Sequence, residues 1–229
     1  MKVTTDGCLY GAWVAERVSS REPGVGNILD IGTGTGLLSL MLAQKINASI
    51  DAIEIDKDAF EQATENLAAS PWKERIHIFH TDAKKFSGKH PYDLIISNPP
   101  FYENELKSGN NQKNIAHHSK QLELKDLLII IKRNLHPDGI FCLLLAFKRN
   151  AEIKNILAEH NLSITQITFV RQSVNHDYFR IMLMGKIKMD EITEIMLDEI
   201  SIKDNSSTAS GEQYTPAFIA LLKDYYLHL

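Results

Sequence analysis

Two hydrophobic periods alternate along this chain. Short apolar runs at NILDIG (27–32), ASIDAIEID (48–56), RIHIFH (75–80), YDLIIS (92–97) and IFCLLLAF (140–147) read as buried strands that end in polar or glycine-rich turns. Between them lie stretches of helical composition: LLSLMLAQK (37–45), KDAFEQATENLAAS (57–70) stopped by Pro71, QLELKDLLIIIKRNLHPDG (121–139) ended by Pro137 and Gly139, and RNAEIKNILAEH (149–160). Strands alternating with helices of ten or more residues predict a parallel sheet covered on both faces. The last two strands, LSITQITFV (162–170) and YFRIMLMGKIK (178–188), have no helix between them and are expected to pair antiparallel. KDNSSTASGEQYTP (203–216) reads as a polar loop before a final helix, AFIALLKDYYLHL (217–229). No internal repeat or long linker interrupts the pattern, so residues 1–229 are expected to form one domain, with the acidic tail 189–229 packed on it.

Composition narrows the class. Apolar residues at 44% and charged residues at 24% are ordinary for a globular protein. Apolar runs such as Leu127–Ile131 are far too short to span a bilayer, and no basic-then-apolar leader opens the chain. Cys8 and Cys142 lack metal-ligand spacing and read as reduced thiols, so a cytoplasmic location and no metal are expected. The net charge of −4 does not advertise nucleic-acid binding, but its distribution is uneven. From Met189 onward eight acidic residues face Lys203 and Lys223, which leaves the first 188 residues with 23 basic against 21 acidic. Between Lys148 and Lys188 seven basic residues stand against three acidic ones, a weak basic region that alone decides nothing.

Candidate chemistry begins in LDIGTGTGLL. Asp30, Gly32, Gly34 and Gly36 follow D-x-G-x-G-x-G at a strand-to-helix turn, where glycines let a ligand approach the backbone across the strand tips. A dinucleotide turn needs a third glycine where this chain has Leu37, so pyrophosphate binding is disfavoured. Eighteen residues past Gly36, Glu54 ends the second strand, where a carboxylate can accept hydrogen bonds from both hydroxyls of a ribose. Asp56 competes for that role but suits a helix start. Asp82 follows the third strand, able to accept from an adenine amino group beside Ala83 or Phe86, or to serve simply as a turn residue.

The fourth strand stops abruptly at Asn98-Pro99-Pro100-Phe101. The Asn98 side-chain carbonyl can accept one N–H of a planar amino group, and the Pro99 carbonyl the other. Pro100 restricts Pro99, so that second acceptor is aimed in advance. An exocyclic amine on a base is a poor nucleophile because its lone pair is delocalised. Two acceptors on its hydrogens favour a pyramidal nitrogen with the lone pair directed at an electrophile. Phe101 can stack on the ring that presents the amine.

Asp30–Gly36 with Glu54, Asp82 and NPPF resembles the class I S-adenosylmethionine-dependent methyltransferases, specifically the amino-methylating group. That resemblance implies a Rossmann-like α/β fold with a seven-stranded, mostly parallel sheet, helices on both faces and an antiparallel last strand. The ends, MKVTTDGCLYGAWVA (1–15) and YTPAFIALLKDYYLHL (214–229), resemble the bacterial valine-tRNA adenine-N6 methyltransferases, over essentially the whole chain. The resemblance implies methyl transfer from S-adenosyl-L-methionine, leaving S-adenosyl-L-homocysteine, to the N6 amine of the adenine 3′ of the anticodon. Gly32, Gly34, Gly36, Glu54 and Asp82 would hold the cofactor with Lys2, Thr5 and Asp6 close by; Asn98, Pro99, Pro100 and Phe101 would hold the adenine. Members of that family usually carry a short stretch ahead of the MKV segment, so a short N-terminal segment is expected to be missing here.

The polar segment 102–121, with Lys107, Lys113, Lys120 and His117–His118, reads as a lid beside NPPF, and its adjacent histidines do not suit a metal site. Arg149, Arg171 and Arg180 are candidate phosphate contacts. The expected partner is a tRNA, with the chain itself a monomer. A protein glutamine presents the same planar NH₂, but the enzymes that methylate it usually have Tyr after the prolines and a separate N-terminal recognition domain. Ribosomal-RNA guanine-N2 methylation is a third reading, and a non-catalytic cofactor- or tRNA-binding module a fourth.

Overall fold

The computed structural model describes residues 3–19, 24–99, 122–188, 194–208 and 211–228. Nine strands form one sheet: β1 (Asn27–Ile31), β2 (Ser49–Glu54), β3 (Ile76–His80), β4 (Tyr92–Ser97), β5 (Leu135–Ala146), β6 (Leu162–Ser173), β7 (Tyr178–Ile187), β8 (Met196–Thr208) and β9 (Gly211–Tyr214). Their spatial order is β3-β2-β1-β4-β5-β7-β6-β8-β9. The first five are mutually parallel, β7 lies antiparallel between β5 and β6, and the polarity of the order reverses between β1 and β4. Among the described residues the α-helices are α1 (Thr5–Ser19), α2 (Leu37–Lys45), α3 (Lys57–Ala68), α4 (Leu124–Asn134), α5 (Asn150–Glu159) and α6 (Pro216–Leu222).

Side-chain parity explains the double cover. In β1, Ile28 packs into the core on the α1–α2 side, while Leu29 enters the core on the α4–α5 side. Leu94 and Ile96 against Ile95 in β4, and Cys142 and Leu144 against Phe141 and Leu143 in β5, divide the same way. A strand apolar on both faces must be covered on both. Cys8 and Cys142 are buried and neither is in a disulfide. Among the described residues no helix is long and apolar enough to cross a membrane.

The expected α/β fold is the one observed, and its count of seven strands rises to nine. The stretch 203–208, read as loop, continues β8, which lies parallel to β6, and 211–214 returns antiparallel as β9. Their polar sequence hid them, because a hairpin at the edge of a sheet is held by its main-chain ladder and needs little apolar surface. Among the described side chains of β8, only Ile200 and Ile202 bury against the first core. The helix α1 escaped the periodic pattern because it is apolar almost all round, with every residue from Gly7 to Ala15 buried. Helix α4 ends at Asn134, three residues before Pro137, and the chain turns directly into β5. Helix α6 stops at Leu222 although apolar residues continue beyond it.

Candidate active site

Strands β1, β2 and β4 end on one edge of the sheet, on either side of the reversal. At the end of β1, Gly32, Gly34 and Gly36 all take positive φ, at 72°, 61° and 83°. That conformation is nearly closed to other residues. Among the described residues nothing lies within 4 Å of where a Gly32 side chain would sit, so they leave open space above its backbone. The Gly32 and Thr33 N–H groups donate to the Ile53 carbonyl, which docks the loop on β2.

Two carboxylates brace this loop. Asp30 is fully buried beneath it, and its Oδ2 accepts from Thr33 Oγ1 (2.7 Å) and Ser39 Oγ (2.8 Å). Its Oδ1 has no hydrogen-bond partner. Burial pushes the Asp30 carboxyl up to about 6; the two hydroxyl donors pull it down and nearby Glu54 adds to the rise. Glu54 closes β2, buried, with Oε2 accepting the Gly34 N–H (2.8 Å) and Oε1 accepting those of Ile55 and Asp56 (2.9 Å each). Asp56 caps α3, accepting from the Ala59 N–H at 2.9 Å. Asp82 sits half-buried in the turn after β3, where its Oδ1 accepts the Lys84 N–H (2.9 Å). It makes no hydrogen bond to the other candidates among the described residues.

Across the reversal, Ser97 Oγ donates to the Ile31 carbonyl (2.8 Å) and locks the end of β4 to β1. Asn98 follows, half-buried, with its Oδ1 shielded from solvent and without a hydrogen-bond partner among the described residues. The first turn of α1 lies over it: a side chain at Gly7 would come 3.8 Å from Asn98 Nδ2 and 3.7 Å from Leu37. Thr5 opens that helix and is exposed. Asp6 is anchored, its Oδ2 accepting from Arg180 Nε at 2.9 Å, with the two side chains 13% and 23% exposed.

The structure therefore assembles the glycine turn, Asp30 and Glu54 as one bonded unit and sets Asn98 beside it, under α1. Lys2, Pro100 and Phe101, and the segment 102–121, lie outside the described residues. The three arginines read as phosphate contacts are each engaged within the protein: Arg180 with Asp6, Arg149 with Glu152, and Arg171 with Tyr178 and Glu199. Sequence reading missed Gly7 and the Asp6–Arg180 pair. The TDG triplet at 5–7 marks the helix start, but the partner of its Asp6 lies 174 residues away.

An open sheet with this glycine turn at the end of β1 and a strand-end carboxylate on β2 defines the class I methyltransferase fold. The comparisons agree. The family model for the methyltransferase small domain matches residues 14–157. Among solved structures, a predicted O-methyltransferase of Agrobacterium tumefaciens shares the fold with a TM-score of 0.68 at 17% identity, covering 94% of each chain. The ribosomal protein L11 methylase of Lactobacillus delbrueckii subsp. bulgaricus does so with a TM-score of 0.56 at 20% identity, over 79% of this chain and 77% of that one. Curated relatives are more specific. A tRNA1(Val) (adenine(37)-N6)-methyltransferase of Phocaeicola vulgatus is 39% identical over 229 residues, covering 100% of this chain and 92% of that protein. One from Dyadobacter fermentans is 38% identical over 99% of this chain and 91% of that protein. The chain is thus a methyltransferase, and it belongs to the tRNA1(Val) (adenine(37)-N6)-methyltransferase family.

Proposed function

We propose that this protein methylates the N6 amine of adenine 37, the base 3′ of the anticodon, in a valine tRNA, with S-adenosyl-L-methionine as donor. The observation that carries the reading is Asn98 Oδ1: a carbonyl acceptor shielded from water, unpartnered among the described residues, and next to the glycine turn. A buried acceptor left without a donor is costly, and a substrate N–H would relieve it. The cofactor is compatible with the residues present. Gly32, Gly34 and Gly36 leave backbone open to it, and Glu54 Oε2, holding a single backbone donor, keeps acceptor capacity for a ribose hydroxyl. Asp82 would face the adenine end, and Asp30 would act from beneath by fixing the loop. Lys2, Thr5 and Asp6 would close the site from the α1 side.

When bound, S-adenosyl-L-methionine supplies an electrophilic methyl group on a sulfonium. The protein's part is to orient the acceptor. Asn98 Oδ1 and the Pro99 carbonyl would take the two amine hydrogens and free the nitrogen lone pair, an interaction that strengthens as positive charge develops on nitrogen. Pro100 would stiffen that strand end, and Phe101 would stack on the base. No strong base is required, since the proton can leave after the bond forms. Drawing the base out of the anticodon loop costs about a few kcal/mol.

Nucleoside mass spectrometry on unmodified tRNA incubated with the protein and S-adenosyl-L-methionine should reveal N6-methyladenosine. Its absence, with cofactor binding intact, would overturn the reading. Asn98→Ala should reduce kcat by about a hundredfold or more with little change in cofactor affinity. Parallel loss of both would remove Asn98 from its assigned role.

A further inference from the structure

Parallel strands are usually joined by a helix that covers one sheet face. Between β3 and β4 the connection Thr81–Pro91 contains no helix. The face of β1–β3 beneath it is left as a groove of about 750 Å³. Side-chain parity records the change. Leu29, Ile31 and Ile53 on this face are buried in the α4–α5 core, but Asn27, Ser49, Asp51 and His77 share the same face nearer the opposite edge and line the groove.

Polarity alone would make this a solvated face, but two further observations give it a direction. The first is charge. Lys89, His90 and His77 are exposed groove residues with no side-chain hydrogen bond or ion pair to the described residues. The one carboxylate in the lining, Asp51, is taken by the Tyr92 hydroxyl at 2.6 Å. Elsewhere, every arginine among the described residues is engaged: Arg149, Arg171 and Arg180 as above, Arg17 by Glu16 and Asp198, and Arg75 and Arg133 by backbone carbonyls. A polyanion approaching a chain of net charge −4 meets unneutralised donors here. The second observation is aromatic. Phe79 is 41% exposed and its ring lies 5.8 Å from that of Phe86 at the end of the groove nearest the active edge. Phe86 belongs to the turn begun by Asp82, whose carbonyl accepts its N–H, so the groove is continuous with that edge.

We propose that this groove docks the ribose-phosphate chain of the tRNA substrate, with His77, Lys89 and His90 contacting phosphates and Phe79 with Phe86 offering a stacking surface to an unpaired base. The proposal rests on tRNA being the substrate and adds where the RNA outside the target base is held.

The test is tRNA binding by fluorescence anisotropy across a salt series, with the wild type, Lys89→Glu/His90→Glu and Phe79→Ala. Each variant is also checked for thermal midpoint and cofactor affinity. The charge-reversed double variant should weaken tRNA binding about tenfold or more and lower the log–log salt slope by about 1–2. Phe79→Ala should weaken binding about tenfold with the slope unchanged. Wild-type affinity and slope in both variants would overturn the proposal. So would AMP or inorganic phosphate binding that these substitutions abolish while tRNA binding stays intact, since the groove would then hold a small ligand. Wild-type protein that binds tRNA yet forms no N6-methyladenosine would sink the proposed reaction and leave the groove standing. Unaltered tRNA affinity in the variants would do the reverse.

Discussion

Asp30 is a buried carboxylate with one oxygen satisfied twice and the other not at all. Its folded-state pKa of about 6 lies above the ordinary 3.8, so between those values the native state holds a proton that the unfolded chain has released. Stability from this group is therefore fully present below about pH 4 and is lost as pH rises through 6, on the order of 3 kcal/mol in all. Asp30→Asn keeps an acceptor for Thr33 and Ser39 and removes the titration. Urea unfolding from pH 4 to 8 should show that falling component in the wild type and not in the variant. At pH 7.5 the variant should be more stable by about 1–3 kcal/mol. An identical pH profile in both proteins would mean that Asp30 is charged throughout the range. The motif made Asp30 legible as part of a ligand turn. That it acts from beneath, through Thr33 and Ser39, was not legible, because only the fold shows on which side of the glycines it lies.

At the scale of elements, α1 and α6 show how the two ends of the chain are held. Buried Trp13 donates its indole N–H to Thr168 Oγ1 (3.0 Å), fixing α1 on β6. Helix α6 has only seven residues, too few to be stable alone, and begins with Thr215 as a cap on the Phe218 N–H and Pro216 in the first turn. Its stability must come from packing. Phe218 is fully buried and stacks on Tyr214 with ring centroids 4.6 Å apart. Phe218→Ala should cost about 3–5 kcal/mol in denaturant unfolding while leaving the glycine turn intact. A loss below about 1 kcal/mol would mean that α6 contributes little to the fold. Alternation of periods foretold β1 to β7 and the helices between them. It failed at α1, where burial on all sides erases the amphipathic signal, and at the β8–β9 hairpin, where a main-chain ladder at the end of the sheet removes the need for one.

For the whole molecule, the Asp6–Arg180 ion pair closes a long loop: it ties the first helical turn, which lies over Asn98, to the start of β7. If that tie keeps the Asn98 amide aimed, Asp6→Asn and Arg180→Gln should each lower kcat about tenfold at saturating cofactor. The double variant should be little worse than either, a coupling of about 1–2 kcal/mol. Additive losses would assign the two residues to separate tasks. The sequence by itself determined the doubly covered parallel sheet, the glycine turn, the strand-end glutamate and the Asn-Pro-Pro-Phe segment. Each of these is written locally, in a period or a spacing within about twenty residues. Tertiary structure alone decided which polar atoms are left unsatisfied, as at Asn98 Oδ1 and Asp30 Oδ1, and which charges are already spent. The arginines of the basic stretch read as candidate phosphate contacts along the chain, yet the sheet order brings Asp6 against Arg180 and Glu199 against Arg171, while Glu152 meets Arg149 from three residues away. Lys89 and His90, in the turn before β4, face outward with no side-chain partner among the described residues. Charge neutralisation depends on distance in space, and the strand order that sets those distances joins residues as far apart as 6 and 180.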